Sequence, residues 1–139
     1  MDKYMNIAIE EAMKSLKNGD IPVGAVIIKD WEIISVAHNE KELRNDVTKH
    51  AEILAIERAC EKLNTWHLDD CVLISTMEPC MMCSGAIVQS RIKKIIYGVE
   101  NEKFGYSELL IEKYKIECIK LGNNKRIIEL LRNFFKEKR

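Results

Sequence analysis

A chain of 139 residues suffices for one compact domain and is too short for two ordinary ones. With 47% apolar residues and 22 basic against 22 acidic side chains, it is neither a disordered segment nor a uniformly basic nucleic-acid coat. The balance hides an asymmetry: residues 120–139 carry seven basic and two acidic side chains, net +5, and the remainder is net −5. No apolar run reaches the roughly 18–20 residues that span a bilayer, and the opening Met1-Asp2-Lys3-Tyr4-Met5 has no signal-peptide core. Five cysteines, two of them three apart, read as metal binding or redox chemistry before a disulfide framework. The expectation is a cytoplasmic protein without a membrane segment, with residues 1–139 forming a single domain.

Met5, Ala8, Ile9, Ala12, Met13 and Leu16 recur at helical spacing before Asn18-Gly19, predicting a helix over 2–17. Two short apolar runs, Ile21 to Ile28 and Trp31 to Ala37, flank Lys29-Asp30 and read as a hairpin, with Pro22 confined to its entry. Residues 38–48 are polar and read as a loop. Thr48 is the expected N-cap of a helix over 49–63 whose buried stripe holds Ile53, Leu54, Ile56, Ala59, Cys60 and Leu63. A buried strand over 70–76, a helix from Cys80 to Gln89 and a strand over 94–98 follow. After a polar segment come a strand over 115–119 and a C-terminal helix from Asn123 to Lys136. A hairpin followed by alternating strands and helices predicts a three-layer α/β/α sandwich around a mixed five-stranded sheet.

Two short strings carry the chemistry. His50-Ala51-Glu52 opens one predicted helix, and Glu78-Pro79-Cys80-Met81-Met82-Cys83 joins a buried strand to another. Residues three apart share a helix face, so Cys80 and Cys83 can aim both sulfurs at one point. A helix N-terminus and a metal both favour the thiolate. With His50 the set is one imidazole and two thiolates without an obvious fourth protein ligand, the pattern of a catalytic rather than a structural zinc, one per chain. Such a metal lowers the pKa of a bound water to about 7. Glu52 is the candidate proton shuttle, provided both it and His50 project from the open first turn. His-x-Glu followed by Pro-Cys-x-x-Cys is the recognised signature of zinc-dependent nucleobase deaminases.

On these residues, together with Ile21-Pro22-Val23-Gly24-Ala25-Val26, His38-Asn39, Thr48-Lys49, Ser84-Gly85-Ala86, Ser90-Arg91-Ile92 and Leu131-Arg132-Asn133-Phe134-Phe135-Lys136, the chain resembles the bacterial tRNA adenosine deaminases. The resemblance implies a cytidine-deaminase-like fold, a homodimer, and conversion of adenosine to inosine at the wobble position of a tRNA anticodon loop. It implies zinc on His50, Cys80 and Cys83, proton transfer by Glu52, and contacts to the target base from Asn39, Ala51 and Pro79. The sequence departs from the pattern in two places. Lys49 stands where the family usually has alanine. After Tyr97-Gly98, Val99-Glu100-Asn101-Glu102-Lys103-Phe104-Gly105-Tyr106-Ser107 replaces a Gly-Ala-x-Gly-Ser-like string, and the run to the last strand is shorter.

The competing readings are a redox Cys80–Cys83 pair, which leaves His50-Ala51-Glu52 unexplained, and a closed zinc site completed by His38, His67 or Cys71. His38 and His67 otherwise read as polar loop residues, and Cys60, Cys71 and Cys118 as small core residues. Cys80–Gln89 is uncharged and apolar around most of its circumference. It is expected to be buried nearly all round, with one face against the sheet and the other against a second subunit. Lys125, Arg126, Arg132, Lys136, Lys138 and Arg139, and a smaller cluster of Arg91, Lys93 and Lys94, are either phosphate contacts or solvated surface. The shortened region after Gly98 motivates a second functional reading, deamination of a free nucleobase or nucleoside in a pocket to which Phe104 or Tyr106 contributes. A third is an RNA-binding module stabilised by zinc and without turnover.

Overall fold

The structure, a computed structural model, describes residues 1–122 and 124–137. Helix α1 (Asp2–Leu16) buries Tyr4, Met5, Ala8, Ile9 and Ala12 along one stripe. Gly19, at φ 75°, turns the chain away from it. Strands β1 (Gly24–Lys29) and β2 (Glu32–His38) form the hairpin, with Asp30 and Trp31 at its tip. Both tip residues have positive φ, 50° and 67°, as a two-residue turn matched to strand twist requires. Trp31 therefore belongs to the turn and not to the strand. A Cβ on Gly24 would sit 1.8 Å from the Ala8 carbonyl oxygen, so the missing side chain is what lets β1 lie against α1.

The expected loop at 38–48 contains a single helical turn, α2 (Lys41–Arg44). Helix α3 (Ala51–Leu63) starts two residues later than expected, with His50 at its N-cap. Thr48 is not the cap, because its backbone N–H and hydroxyl both donate to Asp46 Oδ1, at 2.9 and 2.7 Å. Strand β3 (Cys71–Met77), helix α4 (Met81–Gln89) and strand β4 (Lys94–Val99) lie within a residue or two of their expected bounds. Helix α5 (Ser107–Tyr114) occupies what the sequence presents as an irregular polar segment. Lys115, left-handed at φ 57°, ends it and delays β5 (Glu117–Lys120). Helix α6 (Lys125–Glu137) closes the chain. Its expected start at Asn123, and the basic residues Lys138 and Arg139, lie outside the described residues.

The strand order is β2-β1-β3-β4-β5, with β1 antiparallel to both neighbours and β3, β4 and β5 parallel. The period-2 alternation of the strands divides the apolar residues between two cores. Ala25, Ile27, Leu73 and Ile95 face Leu54 and Ala55 of α3, Ile87 of α4 and Leu110 of α5. Val26, Ile28, Ile74 and Ile96 face Met5, Ala8 and Ile9 of α1 and Ile127 of α6. The result is the expected α/β/α sandwich. No helix among the described residues is long and apolar enough to cross a membrane. Within one chain α4 is not buried nearly all round. Cys83, Ser84 and Ile87 pack inward, whereas Met81 is 65% exposed and a Cβ on Gly85 would meet nothing within 4 Å.

Candidate active site

In open α/β sheets, ligands bind beyond the carboxyl ends of the strands, where helix N-termini converge. Strand β3 ends at Met77, and Glu78-Pro79-Cys80 carries the chain into α4, with Cys80 as its N-cap in extended conformation (φ −77°, ψ 178°). His50 caps α3 in the same way (φ −74°, ψ 155°). Because His50 lies just outside the helix, the rule that helical residues two apart diverge does not separate it from Glu52. Both line one cavity of about 480 Å³, together with Asn39, Ala51 and Cys80.

His50 Nδ1 lies 3.7 Å from Cys80 Sγ and 3.6 Å from Cys83 Sγ. The three donor atoms all fall within 4.8 Å of one another, and this group could hold a metal ion. His38, His67 and Cys71 are not part of it. His38 Nδ1 is 3.2 Å from Glu11 Oε1, and His67 stacks on Trp66 with ring centroids 3.8 Å apart. Cys71 is buried in the α3–α5 core.

The electrostatics follow from crowding. The Cys80 thiol is lowered to about 4, first by its hydrogen bond with Cys83 and then by His50. Cys83 is pushed up because it shares that bond and is itself buried. The Cys80 sulfur raises His50 in turn. Glu52, only 4% exposed, is raised to about 7 by burial, so its carboxyl sits near the midpoint of proton exchange at neutral pH.

The sequence-predicted base contacts are placed unequally. Asn39 lines the cavity, but its side chain also holds the local backbone: Nδ2 donates to the Ile21 carbonyl at 3.2 Å and Oδ1 accepts from Lys41 N–H at 3.1 Å. One amide hydrogen and one lone pair remain for a ligand. Ala51, fully buried, forms part of the cavity wall. Pro79 is not among the lining residues. Its carbonyl accepts from Tyr106 N–H at 3.2 Å, which ties the β3–α4 connection to the segment before α5. Lys49, the departure beside the ligand, directs its ammonium toward Glu57 at 3.4 Å.

Two residues have roles that the sequence did not reveal. Glu78 is buried and accepts from Asn101 N–H (3.1 Å), Ser107 N–H (3.1 Å) and Ser107 Oγ (2.5 Å). It thereby fixes the altered 99–107 segment to the site, and its adjacency to Pro79-Cys80 was the only available signal. His38 lies between two buried carboxylates, Glu11 and Glu40 (3.7 Å), beside Asn39. A lone polar histidine gives no hint of that role.

A mixed sheet between helix layers, with an imidazole, two thiols and a buried carboxylate gathered where two helices begin, defines the nucleobase-deaminase class. The chain belongs to the MafB19-like deaminase family, whose model matches residues 1–139. It is 49% identical to the tRNA-specific adenosine deaminase of Aquifex aeolicus (strain VF5) over 102 residues, 73% of this chain and 68% of that protein. Among solved structures it is similar to one from studies of A-to-I editing by tRNA:A34 deaminases. That match has a TM-score of 0.88 at 31% identity, over 94% of this chain and 100% of the other. It is also similar to guanine deaminase from Bacillus subtilis, with a TM-score of 0.70 at 38% identity, over 81% and 76% of the two chains.

Proposed function

We propose that the chain is a single zinc-dependent deaminase domain that converts adenosine to inosine at the wobble position of a tRNA anticodon loop. The observation that carries the reading is the convergence of His50, Cys80 and Cys83 beside the buried Glu52, in a chain whose adenosine-deaminase relative is 49% identical. A tetrahedral zinc with bonds of about 2.0 Å to nitrogen and 2.3 Å to sulfur implies nitrogen–sulfur edges of about 3.5 Å. The observed 3.6 and 3.7 Å fit that ion, and the fourth corner has no protein donor in the group.

When bound, zinc supplies Lewis-acid activation of a water at neutral pH. Glu52 takes the proton that water loses and returns it to the ring nitrogen of adenine. It next takes the second proton, from the hydroxyl now on C6, and gives it to the departing amino group as the C6–N bond breaks, so that adenosine and water become inosine and ammonia. Burial favours the protonated form of its carboxyl, which a group that must donate as well as accept requires. Burial of Glu52 and Ala51 excludes bulk solvent from the inner end of the cavity. Asn39, already fixed by two backbone bonds, offers its remaining amide valences to the base edge. An anticodon loop is single-stranded, so splaying out one base costs less than opening a duplex. On this reading the protein works in the cytoplasm, alongside its tRNA substrate. The uncovered face of α4 around Met81 and Gly85 fits a second copy of the chain, and sedimentation at micromolar concentration should give a dimer.

A second reading, deamination of a free base, draws on the guanine deaminase likeness and the shortened 99–107 segment. One assay separates the two. Zinc-loaded protein is incubated with an anticodon stem-loop carrying wobble adenosine and, separately, with guanine, cytosine, adenine and adenosine, and ammonia is measured. Release from the stem-loop with inosine in the RNA is expected. Release from guanine alone would replace the proposal with the second reading.

A further inference from the structure

Beyond the reacting base, the cavity has an outer rim, and that rim is where this chain departs from its family. Phe104 stands on it, 63% exposed, while Glu52 at the inner end is 4% exposed, and both line the same cavity. An aromatic ring left in water on a mobile loop would gain nothing by its position. Phe104 is instead held by a dense set of bonds. Its own N–H donates to Asn101 Oδ1 at 3.1 Å, and Gly105 N–H donates to the Asn101 carbonyl at 2.8 Å. Gly105 pairs as a β-bridge with Cys80, and Tyr106 N–H donates to the Pro79 carbonyl. Glu78 anchors both ends of the turn through Asn101 and Ser107. A Cβ on Gly105 would lie 2.5 Å from Glu78 Oε1, so glycine is what allows the carboxylate to approach this closely.

The charges on the rim limit what else could bind there. Lys103 and Lys41 share the cavity with Glu100 and Glu102, so the rim offers phosphates little net attraction. A base face is recognised by stacking and does not depend on that charge balance. Because Phe104 is at the mouth and the proton-transfer group at the floor, a base in the reacting position leaves Phe104 to meet the next thing along the strand.

We infer that Phe104 is a specificity-determining stacking residue for the unpaired nucleotide flanking the target, held in place by the Glu78-anchored turn. The inference rests on the RNA-substrate reading above. Stacking of one base on an aromatic side chain contributes about 1–3 kcal/mol by alanine substitution, which corresponds to an affinity change of about 5- to 150-fold.

The test compares zinc-loaded wild type, Phe104→Ala and Phe104→Trp. A fluorescent anticodon stem-loop reports Kd by anisotropy, and inosine formation from the stem-loop and from free adenosine reports KM and kcat. The expected result is a 5- to 150-fold rise in Kd and KM for the stem-loop in Phe104→Ala, with kcat within about threefold and recovery in Phe104→Trp. Turnover of free adenosine falls less than turnover of the stem-loop. Stem-loop Kd unchanged in Phe104→Ala overturns the inference, as does equal loss on the stem-loop and on adenosine, which would place the ring against the target base. Wild type that binds the stem-loop and makes no inosine contradicts the proposed function, while the Kd comparison still decides the role of Phe104. Wild type that does not bind the stem-loop overturns both.

Discussion

Replacing Glu52 with glutamine separates its chemistry from its packing. The side chain keeps its volume and loses the ability to carry a proton. Positioned general acid–base groups contribute about 10²- to 10⁴-fold to rate, so kcat for deamination should fall by that factor while zinc stays near one per chain. Stability should move the other way. Burial raises the Glu52 pKa from 4.5 to about 7, which means that the folded protein binds more protons than the unfolded chain between those values. The burial penalty is absent below pH 4.5, grows as pH rises, and is complete above about pH 7. A shift of that size corresponds to roughly 3 kcal/mol at 1.36 kcal/mol per unit. Metal-free Glu52→Gln should therefore be more stable than metal-free wild type at pH 8, by up to about 3 kcal/mol, and nearly equal to it at pH 4.5. Urea unfolding at the two pH values, alongside ammonia release and metal content of the loaded protein, measures all three quantities. Turnover within tenfold of wild type would refute the proton-shuttle role. A variant destabilised equally at both pH values would refute the burial argument.

Three further outcomes follow from the same geometry. In metal-stripped protein at pH 6, iodoacetamide should label Cys80 first, because its pKa of about 4 leaves it a thiolate while burial raises Cys60, Cys71 and Cys118. Zinc should suppress that labelling, and mass spectrometry finding Cys60 or Cys118 modified first would contradict the assignment. Leu73→Ala, at a fully buried position in β3, should lose about 2–5 kcal/mol in urea unfolding, whereas Leu43→Ala on the exposed α2 should stay within about 0.5 kcal/mol. For Glu11, burial pushes the carboxyl up, but hydrogen bonds from Lys14 and His38 together hold it below 4.5. Its contribution is present above pH 4.5 and is lost as pH falls through the lowered value. Glu11→Gln should thus be less stable than wild type at pH 7 and converge with it in acid; a constant gap between them would show that these bonds do not set the carboxyl's pKa.

The elements most legible in the sequence were those whose pattern is set by burial on a regular lattice. The α1 stripe of Met5, Ala8, Ile9 and Ala12, and the runs that become β3 and β4, could be read because each packs on the core with its own period. The site strings were legible for a different reason: His50-Ala51-Glu52 and Cys80 to Cys83 each gather their functional groups within about one helical turn. What escaped depends on residues far apart in the chain. Helix α5 is only eight residues with Leu109, Leu110 and Ile111 in a row, a run without clear helical period. Its start is fixed by Ser107 binding Glu78, 29 residues earlier. Thr48 satisfied the local rule for an N-cap, yet Asp46 captured its donors. The α4 pattern predicted burial all round, and one chain supplies cover for only one face.

The proposed function requires that three donors grip one metal with a corner left for chemistry, beside a carboxylate that moves protons. Its most direct test is a zinc titration of stripped protein with ammonia release measured at each addition. Activity should rise in proportion to bound zinc and level off at one ion per chain, and Cys83→Ser should abolish both the binding and the rise. Full turnover in metal-free protein, or a tightly bound zinc that leaves the protein inactive toward every substrate tested, would contradict the account.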